Sequence, residues 1–253
     1  MEPVFRTLEI AVNTASRAIG TKITYLGLEN IPATGGAVVA INHTSYVDWY
    51  PSALAAYQVR RRLRFMIKSE MQDVKVVNFL IKHSGTIPVD RDAGGGAYGV
   101  AVERLRAGEL VGVYPEATIS RSFELKEFKS GAARMARDAD VPIIPLIVWG
   151  AQRMWTKDHP PNMGRNKIPI TVALGPHVRS ASTTDETSAA MRDAMNKLLH
   201  MVQEDYPHPA GAYWVPHRLG GSAPTIEEAK ALEEAELVER ARRRAERQTK
   251  SRR

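Results

Sequence analysis

The sequence predicts an α/β fold, a mixed and largely parallel sheet flanked by helices, with an N-terminal amphipathic helix before it and a charged helical tail behind it. Three observations carry this expectation. Apolar runs of strand length alternate with helix-length segments from about residue 23 to residue 206. Polar residues with chemical potential gather where those runs end, the edge at which α/β sheets place their ligands. The chain has 253 residues, 43% of them apolar and 25% charged, enough for one generous domain core. The expected divisions are a helix over 1–22, a body over 23–206, and a connection with a helical tail over 207–253.

The elements follow in order. Val4, Leu8, Ala11, Val12, Ala15 and Ile19 recur at helical spacing, so 4–19 reads as an amphipathic helix, packed on the core or lying on a membrane surface. After the turn-like Pro32–Gly36 comes a strand, Ala37–Ile41, then a helix over 47–58 and a strand over 63–67. Helix is expected over 74–82, strand over 86–89 and helix over 97–107. The remaining strands are expected at 110–114, 141–148 and 168–174, with helices at 130–138 and 186–205. The Pro-, Gly- and His-rich stretch 207–224 reads as a surface connection. A last helix, from Thr225 to about Arg247, begins acidic and ends basic, as the helix macrodipole favours.

Composition narrows the chemistry. No cysteine is present, which excludes a disulfide framework, thiolate metal sites and a cysteine-borne intermediate, and fits a reducing compartment. No run approaches the 18 or more apolar residues of a spanning helix. With Glu2 and Glu9 at its start, the N-terminus does not read as a secretory signal. The formal charge of +7 equals the net charge of residues 240–253, where eight Lys/Arg face one Glu. Six Glu and one Lys occupy 227–239, leaving 1–226 at net +5. Such basicity points to a polyanion, either nucleic acid or an anionic membrane face.

The most reactive-looking segment is Asn42-His43-Thr44-Ser45-Tyr46-Val47-Asp48, just after the first central strand. On a continuous helix, residues five apart diverge by about 140° and cannot pair. His43 and Asp48 can meet if His43 sits on the strand-to-helix turn and Asp48 in the first helical turn. Ser45 followed by Asp48 is a capping-box-like start that favours this arrangement. A carboxylate behind an imidazole fixes its tautomer and lets the outward nitrogen take a hydroxyl proton near neutral pH. His200 and Asp205 repeat the spacing inside an apparently continuous helix, which holds them apart. Asp48 acting only as a helix cap is the plainer alternative.

Further blocks accompany this one: Gly85-Thr86-Ile87-Pro88-Val89-Asp90-Arg91, Tyr114-Pro115-Glu116-Ala117-Thr118-Ile119-Ser120-Arg121-Ser122 and Val141-Pro142-Ile143-Ile144-Pro145-Leu146. In this order and spacing they resemble the glycerolipid acyltransferases, most closely the 1-acylglycerol-3-phosphate acyltransferase (PlsC-like) family. That family's blocks are Asn-His-x4-Asp, Gly-x-Ile-x-x-x-Arg, Phe-Pro-Glu-Gly-Thr-x-Ser and Val-Pro-Ile-x-Pro. The resemblance covers about residues 20–205 and implies a glycerol-3-phosphate acyltransferase-like fold for the body. It implies His43 as general base on the acceptor hydroxyl and Asp48 as its orienting partner. It further implies Arg91 on the acceptor phosphate, suited by its planar fork of donors. Glu116 and Thr118 would position the glycerol phosphate, and Lys68 would be a further phosphate contact. Backbone amides in one of these turns would hold the thioester's oxyanion. Ala117 stands where the family has glycine, so its φ is expected to be negative and the pocket tighter. Ile119 stands where many members have arginine, a role Arg121 would take over. On plainer readings Arg91 is a strand-end surface charge and Glu116 caps the next turn.

What the resemblance implies is transfer of a fatty acyl group from an acyl-coenzyme A or acyl carrier protein thioester to a lysophospholipid, lysophosphatidic acid first. It implies no cofactor and no metal, and a peripheral protein on the cytoplasmic face of the plasma membrane, with an anionic membrane surface rather than nucleic acid as partner. Gly94–Gly99 matches Gly-x-Gly-x-x-Gly but follows acids and reads as a helix start. No Gly-x-Ser-x-Gly elbow is present, and histidines 83, 159, 177, 208 and 217 lack metal-ligand spacing. Arg60-Arg61-Arg62-Leu63-Arg64 is either a solvated helix end or a contact for anionic headgroups or coenzyme A phosphates near the site's mouth. Trp149, Met154 and Trp155, with Arg153 and Lys157, suggest a lipid-interface loop, although core packing suits Trp149 equally. The competing readings are a glycerol-3-phosphate or other lysolipid acyltransferase and, in a different class, a non-catalytic module whose basic tail binds nucleic acid or a membrane.

Overall fold

The computed structural model describes residues 10, 14, 20–68, 85–89 and 96–251. The helices expected over 4–19 and 74–82, the Gly94–Gly99 loop and Arg91 thus lie wholly or partly outside the described residues. Among the described residues seven strands form one sheet in the order β1-β7-β6-β2-β5-β3-β4. They are β1 (Ile23–Leu26), β2 (Ala37–Ile41), β3 (Leu63–Lys68), β4 (Ile87–Val89), β5 (Leu110–Val113), β6 (Ile143–Trp149) and β7 (Ile170–Leu174). All neighbours pair in parallel except β6 with β7, so β1 and β7 run against the other five. The expected class, mixed and largely parallel, is the observed one.

The central strands are continuous apolar runs because both of their faces are covered. Helix α1 (Trp49–Gln58) lies on one face, where Tyr50, Leu54 and Ala55 join Val39, Ile41, Leu63, Leu146 and Val172 in a single core. Val38 and Ala40 point the other way by strand alternation. On that side α3 (Gly131–Ala139) packs against β2 and α4 (Thr184–Glu204) against β6. Helix α2 (Gly96–Arg106) lies beside α3 and against β4 and β5. Pro145 sits in the middle of the sheet without breaking it. Its carbonyl accepts the Gly175 N–H on the β7 side, so the donor it lacks falls outside the β2 ladder.

Strand β1 went unpredicted: four residues of alternating half-burial carry too little apolar signal, and pairing with β7 defines it. Helix α4 opens on a full capping box, Thr183 with Glu186. The capping box expected at Ser45 is only half made. The Asp48 carboxylate takes the Ser45 N–H, but the Ser45 hydroxyl takes the Val47 N–H, and α1 begins after Asp48.

The described chain forms two compact units. One comprises the residues up to Ile119 with Glu127–Tyr206, and the other Ser120–Lys126 with the chain from Pro207 on. A boundary at 207 therefore misses the seven residues Ser120–Lys126. Within the second unit Arg121 pairs with Glu236, Lys126 with Glu233 and Glu124 with Arg218, around buried Trp214, Val215, Ala223 and Ala229. Helix α5 (Ile226–Ser251) supplies two of those carboxylates.

Candidate active site

Strand β2 delivers His43 to the C-terminal edge of the parallel strands. Just before it, the buried Asn42 side chain donates to the Val148 carbonyl at 3.0 Å and accepts the Val148 N–H at 2.7 Å. This pair of bonds extends the β2–β6 ladder by a side chain and anchors the turn. Asp48 then folds back over it. Its Oδ2 accepts the backbone N–H groups of Thr44 (2.8 Å) and Ser45 (2.7 Å) and lies 3.3 Å from His43 Nδ1. The pairing expected from the sequence is present, made by a tight turn of which Asp48 is the hub. Asp48 is fully buried while the His43 side chain is 20% exposed, which leaves Nε2 as the nitrogen away from the carboxylate.

Burial pushes the Asp48 carboxyl above its ordinary value, opposed by His43 and by the Ser45 and Thr44 amides. The turn is also tied from outside. Ser45 Oγ donates to the carbonyls of Ala151 (3.0 Å) and Trp155 (2.6 Å), Tyr46 N–H to Trp155, and Thr156 Oγ1 to the Thr44 carbonyl at 2.7 Å. The segment after β6 thus braces the His43 turn.

The end of β5 closes the arrangement. The Tyr114 ring stacks on the His43 imidazole with centroids 4.2 Å apart and planes 26° apart. Glu116 is buried, and its Oε1 accepts the backbone N–H of His43 at 2.7 Å. The structure therefore brings Glu116 to the histidine's own backbone. Ala117 corrects an expectation: its φ is +62°, in the left-handed region, where the sequence reading assigned a negative value. A Cβ in that region carries strain. Thr118 is half-buried, with its N–H on the Glu116 carbonyl, and the Ala117 N–H is on the Tyr114 carbonyl. The amides of residues 43–47, 117 and 118 are thus all committed to protein acceptors.

The other predicted residues separate by edge. Lys68 ends β3 in register with Val89 of β4, at the edge that carries His43, and Arg91 lies outside the described residues. Arg121 lies in the second unit, in an ion pair with Glu236 at 3.0 Å. Arg60–Arg62 precede β3 and so lie at the opposite edge from His43, which overturns their placement at the mouth of the site. Arg61 donates to the carbonyls of Pro32, Gly35 and Gly108, and Arg64 is buried against Glu109. Of the suggested interface loop, Trp149 and Met154 belong to the core. Trp155 remains exposed, its ring 4.8 Å from that of Tyr46. His200 is exposed on α4 and Asp205 follows that helix. The sequence blocks contain Asn42 and Tyr114 without assigning either a role, and Thr156 was missed.

A sheet of this topology with a histidine–carboxylate pair at its C-terminal edge defines a class of α/β enzymes, and comparison with known families narrows it. A family model described as Acyltransferase matches residues 22–149, half of the chain, and the chain belongs to that family. It is 28% identical over 179 residues to the 1-acyl-sn-glycerol-3-phosphate acyltransferase of Bacillus subtilis (strain 168), covering 69% of this chain and 85% of that one. It is 26% identical over 142 residues to the enzyme of the same name from Borreliella burgdorferi, covering 55% of this chain and 56% of that one. The crystal structure of the 1-acyl-sn-glycerophosphate (LPA) acyltransferase PlsC from Thermotoga maritima shares the fold. The TM-score is 0.68 at 20% identity, over 81% of this chain and 82% of that one.

Proposed function

We propose that this acyltransferase moves a fatty acyl group from a thioester to the free hydroxyl of a lysophospholipid, with lysophosphatidic acid as acceptor and phosphatidic acid as product. The observation that carries the reading is the His43–Asp48 pair, set 3.3 Å apart at the ligand-bearing edge of the sheet. The names of the related enzymes supply the acceptor. In the proposed step His43 Nε2 takes the proton of the acceptor hydroxyl as its oxygen attacks the thioester carbonyl. The tetrahedral intermediate collapses, the C–S bond breaks, and the imidazolium returns the proton to the departing thiolate. The products are an ester and a free thiol of coenzyme A or acyl carrier protein, with no covalent enzyme intermediate and no cofactor. Asp48 holds Nδ1–H toward itself and stabilises the imidazolium.

The acceptor phosphate falls to Lys68 and Arg91 in this proposal, with Thr118 on the glycerol. Strands β3 and β4 lie two and three places from β2, or roughly 10 and 14 Å across the sheet at the usual strand spacing. Arg121 is engaged by Glu236 and is not needed for this arrangement.

An anionic membrane face is the proposed partner, with the protein peripheral on the inner surface of the plasma membrane. Among the described residues no helix is long and apolar enough to cross a membrane. Tyr46, Trp49 and Trp155 are 46%, 43% and 39% exposed, within and beside the His43 turn, and such amphipathic rings favour the headgroup level. The test is an assay of the purified chain with palmitoyl-coenzyme A against a panel of lyso-acceptors, products resolved by mass. Phosphatidic acid from lysophosphatidic acid is expected, with His43→Ala lowering turnover by roughly 10²–10⁴-fold. Undiminished transfer in His43→Ala rules the mechanism out.

A further inference from the structure

The mechanism above uses His43 and Asp48, yet two other side chains meet the same histidine, and neither has a step of its own. Both come from the end of β5. Tyr114 and Glu116 flank Pro115, whose ring holds the residue before it extended. From there Tyr114 covers one face of the imidazole, and Glu116 takes the histidine's backbone N–H at 2.7 Å. We infer that Tyr114 and Glu116 are positioning residues for His43, holding its ring and its backbone in register with Asp48, and that Glu116 is not a ligand of the acceptor. The inference rests on the reading of His43 as the base.

Three features support it. Glu116 is only 4% exposed, and a carboxylate directed at a backbone amide in the protein interior is poorly placed to meet a solvent-borne glycerol phosphate. An anionic side chain beside a phosphate would also be repelled by it. The Tyr114 phenol is held neutral, well above its ordinary value, by burial and by the charge of Asp48, so it does not compete as a base. What its ring offers is an aromatic face. That face attracts the imidazole more strongly once the imidazole is cationic, which is the state reached as the hydroxyl proton moves. With Asp48 on Nδ1, the histidine is thereby fixed from three directions: ring edge, ring face and backbone.

The test pairs disruptive with conservative variants. Glu116→Ala and Tyr114→Leu should each lower kcat by about 10²-fold, the usual consequence of a base displaced by an ångström, with the acceptor KM within about twofold of wild type. Glu116→Gln, whose amide oxygen can still accept the His43 N–H, and Tyr114→Phe, which keeps the stack, should recover at least about tenfold of that loss. In histidine-labelled protein the His43 Hε1 resonance, assigned by its loss in His43→Ala, should be shifted upfield by the Tyr114 ring. That shift should persist in Tyr114→Phe and vanish in Tyr114→Leu. An acceptor KM that rises in Glu116→Ala while kcat holds would make Glu116 a substrate ligand and overturn the inference. So would a Tyr114→Leu variant with wild-type kcat or an unshifted resonance in the wild type. Activity retained in His43→Ala overturns the base itself. Inactivity there with wild-type kcat in Glu116→Ala and Tyr114→Leu overturns the positioning alone.

Discussion

At the residue scale, the site combines costs in stability with gains in chemistry. Burial raises the Asp48 carboxyl above 3.8, so the folded state holds its proton more tightly than the unfolded chain does. A group of that kind contributes stability below the unfolded value and loses it as pH rises through the folded one. Keeping Asp48 charged for catalysis therefore works against folding at neutral pH. Asp48→Asn should remove this pH dependence and leave stability at pH 8 equal to or above wild type by urea unfolding, while turnover falls by at least about 10²-fold. Ala117 is a second local cost. A left-handed alanine is about 1 kcal/mol less favourable than glycine there, so Ala117→Gly should raise Tm by about 2–4 °C in calorimetry. A fall in Tm would mean that the methyl group contributes packing worth more than the strain.

At the element scale, which edge of the sheet a residue leaves from decides its use. The basic cluster 60–64 reads in sequence like a headgroup contact, but the parallel register of β2, β5 and β3 puts it opposite His43. There Arg61 gathers three carbonyls from the turns before β2 and β5. Arg61→Ala should destabilise the fold by about 1–3 kcal/mol in chemical unfolding and leave vesicle binding as it was. A loss of vesicle binding without a loss of stability would return the cluster to the lipid. The pattern of strands and helices was readable because buried parallel strands are continuous apolar runs and their helices are amphipathic. Strand β1 and the brace from Trp155 and Thr156 were not. A four-residue strand has no periodicity to speak of, and a bond between Thr156 and the Thr44 carbonyl spans 112 residues without a sequence signature.

At the scale of the whole molecule, the net charge of +7 proves less available than its sum suggests. Along α5, Arg240 pairs with Glu236, Arg242 with Glu239 and Glu246, and Arg243 with Glu239 at 2.7 Å. The same pairing lowers the Glu239 carboxyl, through Arg243 first and Arg242 second. These exposed pairs are screened by salt and contribute little to stability, but they blunt the tail as a polyanion ligand. Deleting 240–253 should weaken association with anionic vesicles in a salt-sensitive way by flotation, with little change in turnover on soluble acceptor analogues. Replacing Tyr46, Trp49 and Trp155 by serine should weaken the salt-insensitive part. If the tail deletion instead abolishes salt-sensitive nucleic-acid binding and leaves vesicles untouched, the polyanion is nucleic acid.

The sequence by itself determined the α/β class, the order of the central elements and the pairing of His43 with Asp48. Each of these rests on local information: periodicity, strand-end position and a spacing that only a tight turn can close. Tertiary structure alone decided that Glu116 faces the histidine's backbone, that Tyr114 covers its ring, and that Arg61 and Arg64 serve the fold. It also set the left-handed conformation of Ala117, which no local sequence signal indicated. Those outcomes depend on which strands become neighbours. In a parallel sheet that order is settled by packing among segments far apart in the chain, so no single stretch of sequence contains it.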